Sequence, residues 1–110
     1  MRIGLSPQRR DDTLVVSKVG DILIINGEAF DFTEMSDGDT LPALAISSPW
    51  FVGQVDRVGP ELELTLILPL PSNYSPEQAF PKPLLNVPDG LVALPQPLPI
   101  QEPGSKEVEA

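Results

Sequence analysis

The chain has no histidine and no cysteine, which removes the commonest general base, the thiolate nucleophile, any disulfide and the usual zinc and haem ligands. Basic residues are scarce as well. Seven Lys and Arg stand against sixteen Asp and Glu, a formal net charge of −9, and such a surface repels phosphate backbones and anionic membranes. No run approaches the roughly 20 apolar residues that a bilayer-crossing helix needs, and the opening MRIGLSPQRR lacks an apolar stretch of signal-peptide length. These absences lead us to expect no enzyme, no cofactor or metal, no nucleic-acid partner and no membrane insertion, in a soluble chain made in a cytoplasm. Aromatic side chains make up only 5%, so Trp50 stands out as a potential interface anchor.

What is present reads as β structure. From Glu61 to Leu68 the leucines at 62, 64, 66 and 68 recur at period 2, which sends them to one face of a strand and the glutamates to the other. With a turn centred on Val58 and Gly59, antiparallel pairing sets Val55 opposite Leu62, Gly53 opposite Leu64 and Phe51 opposite Leu66. The ladder is then expected to close at Asp56 and Glu61 around a four-residue loop. Thr13–Val19 and Ile22–Ile25 are β-branched runs about Gly20-Asp21, the mark of a tight hairpin. Asn26-Gly27 is the preferred pair for a type I′ turn and predicts Ile25 opposite Glu28, Leu23 opposite Phe30 and Asp21 opposite Phe32. Leu23, Ile25 and Phe30 then share a core face. Leu41–Ser48 reads equally as a short strand or one helical turn.

Three prolines precede Gly59 and eleven follow it. The skew divides the chain into an antiparallel β domain, residues 1–71, and a Pro-rich extended arm with short turns, residues 72–110. Within the arm, Ser75-Pro76-Glu77-Gln78 carries capping-box chemistry for one helical turn, and Val87-Pro88-Asp89-Gly90-Leu91 predicts a turn in a small hairpin of its own. Prolines at 95, 97 and 99 leave one edge of an extended segment without donors, while Gln96, Leu98 and Ile100 keep theirs on the other. That edge suits a strand added to another protein's sheet, against the plainer reading of a solvated linker. The arm holds more aliphatic surface than a linker needs. Its packing on its own sheet, on another copy or on a different subunit is therefore expected, with Trp50, Leu84, Leu85, Leu91, Leu94, Leu98 and Ile100 as partner-binding candidates. Removal of residues 83–110 is expected to leave a β core.

No catalytic constellation is legible. Glu61 and Glu63 read as the wet side of a strand, no histidine is available to activate a serine, and the eight glycines form no phosphate-binding pattern. Asp37-Gly38-Asp39 lacks the further oxygen ligands and the bidentate glutamate of a calcium loop, so it reads as a turn. Likewise the RRDD run at 9–12 reads as a solvated turn.

The segments GDILIINGEAFDF, DGDTLPALAISSPWFVGQVDRV and ELELTLILPLP, spanning about Leu5 to Pro71 and continuing through NYSPEQAFPKPL, resemble a group of small tail-module proteins of tailed bacteriophages and prophages of Gram-negative bacteria. The resemblance implies a structural component of a phage tail, at the tail tip, baseplate or fibre-attachment region. Such a chain would act through contacts with other tail proteins, within an oligomer or larger assembly, and reside in the virion. The alternative it leaves open is an assembly chaperone for tail or tail fibre that is absent from the mature particle.

Overall fold

The computed structural model describes residues 1–99. Its eight strands are β1 (Arg2–Arg9), β2 (Val16–Val19), β3 (Ile22–Ile25), β4 (Glu28–Asp31), β5 (Thr40–Leu41), β6 (Val55–Val58), β7 (Glu61–Leu70) and β8 (Gly90–Leu91), with a 3-10 turn at Ala43–Ala45 and one helical turn, α1, at Pro76–Ala79. They form two four-stranded sheets, ordered β1-β7-β6-β5 and β4-β3-β2-β8. The protein is mainly β.

β7 is the central strand of the first sheet. Leu62, Leu64, Leu66 and Leu68 are all buried, and from Leu66 to Pro69 both faces are covered, so the alternation seen in the sequence gives way to continuous burial. β6 pairs with β7 antiparallel, but the ladder closes at Val58 and Glu61 around the two residues Gly59-Pro60. The expected four-residue loop is not formed, because a proline between the strands needs no ladder partner and costs nothing there. Farther from the turn, Phe51 faces Leu66 as the sequence predicts. Five residue steps from Phe51 to Asp56 face three from Leu66 to Glu63, so the chain bulges outward by two residues. Gly53, at φ +75, occupies that bulge. An even-numbered insertion preserves the alternation of faces, which keeps Val55 fully buried.

β1 extends the other side of β7 and runs parallel to it, with Ile3 beside Leu64 and Leu5 beside Leu66. The sequence shows only two apolar residues there, and Pro7 masks the strand. Pro7 is tolerated because β1 is the outer strand of its sheet. The arm supplies a single bridge on β1's free side, Leu84 exchanging both backbone hydrogen bonds with Ile3 at 2.9 and 2.8 Å.

The second sheet follows the expected meander. Val19 pairs with Ile22 across Gly20-Asp21, Leu23 with Phe30 and Ile25 with Glu28, and Asp21 accepts the Phe32 N–H at 3.0 Å. Asn26 and Gly27 both have positive φ, 50 and 88, as a type I′ turn requires. The Asn26 side chain also clamps the preceding segment, accepting from Val15 N and donating to the Thr13 carbonyl. The Leu41–Ser48 alternatives are both realised in part, Leu41 ending β5 and Ala43–Ala45 forming the 3-10 turn.

The two sheets share one core, built from Ile3, Val55, Leu62, Leu64 and Leu66 on one side and Leu14, Val16, Leu23, Ile25 and Phe32 on the other. Phe51 joins them edge-on, its ring 5.1 Å from Phe30 and 6.0 Å from Phe32.

The arm packs on its own chain. Val87 and Val92 are buried in the core, and Leu84 and Leu94 lie against it. The predicted hairpin about Pro88-Asp89-Gly90 does not form; instead Gly90 and Leu91 add to β2 as β8. Asp89 fixes that addition by accepting from Lys18 Nζ at 2.7 Å and from Gly20 N at 3.0 Å.

Candidate functional site: an uncovered sheet face and the arm beside it

β3 is apolar on both faces, β2 holds Ser17 and Lys18 between two valines, and only one face of each reaches the core. Val16, Leu23 and Ile25 point inward, so alternation places Val15, Ser17 and Val19 of the β2 segment and Ile22 and Ile24 of β3 outward. The cross-strand pairs confirm a common face: Ser17 lies between Ile24 and Leu91, while Ile24 lies beside Ala29 and Ile22 beside Asp31. Val15 is 50% exposed, Val19 56% and Leu91 74%. Ile22 and Ile24 are half-buried and belong to no core cluster. A largely aliphatic strip, with Ser17 at its centre, thus crosses the second sheet with no charged residue inside it. Asp31 and Asp89 border it at either side, both exposed. Lys18 points the other way, its side chain 11% exposed.

Both bordering carboxyls sit below their ordinary value of 3.8: Asp31 through hydrogen bonds from the Thr33 hydroxyl and backbone N–H, and Asp89 through the Lys18 ammonium and then the Gly20 N–H. Each therefore remains an anion in mildly acidic solution.

The partner-binding candidates disperse over this architecture. Leu91 lies on the uncovered strip, and Leu85 is 61% exposed on the arm. Leu84 and Leu94 are half-buried against the core. Leu98, 49% exposed, lines with Leu94, Leu14 and Gln78 a cleft of about 380 Å³ where the arm crosses the end of β7. Trp50 packs at the core's margin beneath the Arg10 guanidinium, 4.7 Å from the ring centroid, so its own chain covers one side of it. Ile100 lies outside the described residues.

The donor edge of the proline-alternating segment is already engaged within the chain. Leu98 N donates to the Asn73 carbonyl at 2.9 Å, Asn73 Nδ2 donates back to the Leu98 carbonyl at 2.6 Å, and the Ser75 hydroxyl donates to the Gln96 carbonyl at 2.7 Å. Among the described residues, Gln96 and Leu98 meet their own chain, leaving the donor-free side outward. Ser75 does this while capping α1. Its hydroxyl accepts from Gln78 N, and Gln78 Oε1 accepts from Ser75 N, the expected capping box.

No protein-family model, curated protein or solved structure matches this chain.

The Asp37-Gly38-Asp39 segment is held by backbone bonds, Asp37 accepting from Gly59 N at 2.7 Å and Asp39 from Ser36 N at 2.7 Å. The Asp37 carboxylate thus ties the loop to the turn after β6, and the Asp39 carboxylate closes the loop on itself. Among the described residues no helix is long and apolar enough to cross a membrane.

Two features escaped the sequence reading. One is the uncovered strip, whose signal is the unbroken ILII and TLVV runs, since a strand apolar on both sides expects cover on both. The other is Arg57, which shares the leucine face with its partner Leu62 and is 6% exposed. An arginine on a core face announces a polar cluster in the interior.

Proposed function

We propose that this chain is a non-enzymatic structural component of a phage tail, working through contacts with other tail proteins within a larger assembly. One observation carries the contact-based part of the reading: the second sheet keeps Val15, Val19 and Leu91 at least half exposed around Ile22 and Ile24, an apolar surface that in an isolated chain only invites association. The tail assignment rests on the likeness of the Leu5–Pro71 segments to tail-module proteins. A tail subunit must be soluble before assembly and buried after it, and the combination of −9 net charge with an uncovered aliphatic face meets both needs.

Mass spectrometry of purified particles from the encoding phage or prophage tests this. The reading expects the chain at a fixed ratio to the other tail proteins. Abundance in the infected cell with absence from mature particles would replace it with the assembly-chaperone alternative.

A further inference from the structure

We infer that the outer face of the β4-β3-β2-β8 sheet docks a different protein, one presenting an aliphatic helix or strand face flanked by lysine or arginine. The inference deepens the contact-based reading above by naming the surface and the chemistry of its partner. Val15, Val19, Ile22, Ile24 and Leu91 share one face of three adjacent strands, β8, β2 and β3, grouped around Ser17, which pairs with both Leu91 and Ile24. It is the outer side of strands whose inner side already fills the core, and none of its side chains belongs to that core.

Charge selects the occupant. Asp31 borders the strip on the β4 side, and among the described residues of these strands no basic side chain stands on this face, Lys18 being turned inward and paired with Asp89. A partner with basic flanks gains from Asp31, which has no ion pair among the described residues, and from the −9 net charge, and meets no cation in the strip, whereas like charges set face to face suppress association. That argument disfavours a second copy. Stacking two of these sheets would bring acidic borders together between chains that each carry −9. Size points the same way. Four strands of two to four residues present a face of only a few hundred Å², well under the roughly 800 Å² per partner of a stable interface. The face is therefore one contact within a larger docking surface, strengthened by complementary charge.

The test uses the full chain and two synthetic amphipathic helical peptides with identical leucine faces, one flanked by lysines and one by glutamates. Fluorescence anisotropy at low salt should show the lysine-flanked peptide binding roughly tenfold or more tighter. High salt should shrink that preference, Asp31→Asn should reduce it, and Ile24→Lys should abolish binding while leaving the urea midpoint close to the parent's. Equal affinity for both peptides, no binding of either, or binding that survives Ile24→Lys would each overturn the inference. Sedimentation of the parent chain as a dimer that Ile24→Lys dissociates would overturn it too, in favour of a second copy. Because the peptides report on the surface without any particle, failure here is separable from failure of the tail assignment.

Discussion

The guanidinium of Arg57 lies 2.9 Å from the Asp21 carboxylate and so fastens β6 of one sheet to the β2–β3 turn of the other. The same side chain donates to the Met35, Pro60 and Phe32 carbonyls at 3.1, 3.2 and 3.0 Å. Four acceptors from three chain segments thus converge on one buried cation. Replacing Arg57 by alanine leaves the Phe32 carbonyl without its donor in the interior and Asp21, its side chain 35% exposed, without its cation, a cost of about 1–3 kcal/mol. Arg57→Lys supplies a point charge in place of a planar fork and should recover only part of that. Urea unfolding of the two variants checks the order, with Arg57→Ala the less stable.

Asp89 makes docking of β8 sensitive to acid. Its carboxyl titrates below the ordinary 3.8 because Lys18 and Gly20 bind the anion. A carboxyl depressed in the folded state adds stability that is fully present above its unfolded value and is lost as pH falls through the lower folded value. Asp12, held by Arg10, and Asp31, held by Thr33, act in the same direction. The parent should therefore lose stability below about pH 4, and Asp89→Asn should lose less across that window while starting lower at neutral pH. Urea midpoints measured down the acid range give the comparison. Faster amide exchange at Val92, whose N–H donates to Val16, localises the effect.

Much of the second sheet was legible because its turns are chemically distinctive. Gly20-Asp21 and Asn26-Gly27 each fixed a register, and every expected pair from Ile25–Glu28 to Asp21–Phe32 formed. β1 was not legible. Its partner β7 lies about 60 positions away in parallel register, and neither periodicity nor turn chemistry reports pairing across such a distance. The bulge before Val55 and the closing loop at Gly59-Pro60 were misread for one shared reason: the leucine alternation fixes faces but not the number of residues between them. Of the candidate partner residues, Leu91 was found on the uncovered face, yet β-branched Ile22 and Ile24 went unnoticed because any strand run reads first as core.

Removal of residues 83–110 should destabilise the sheets rather than leave them intact, contrary to the sequence expectation. Val87 and Val92 are buried and Leu84 bridges Ile3, so truncation uncovers the core beneath them. The loss of these apolar side chains is worth on the order of 3–6 kcal/mol. Differential scanning calorimetry should show a lower Tm for the shortened chain, and an unchanged Tm would mean that the arm does not complete the core.

Ser75 holds two structures at once, capping α1 and anchoring the arm at Gln96. Ser75→Ala removes the cap and leaves the Gln96 carbonyl without its hydroxyl donor, a combined cost of about 1–3 kcal/mol. Limited proteolysis should cut the variant's arm near Leu98 before the sheets are touched. Ser75→Thr, which keeps the hydroxyl, should restore most of the protection.

The central claim is that the uncovered face of the second sheet joins this chain to its assembly, and incorporation of Ile24→Lys into particles tests it most directly. Ile24 is half-buried but outside the core cluster, so the isolated variant should still fold, within about 1 kcal/mol of the parent. In cells making both forms, purified particles should contain the parent chain and be depleted of the variant. Equal incorporation of the two would contradict the account.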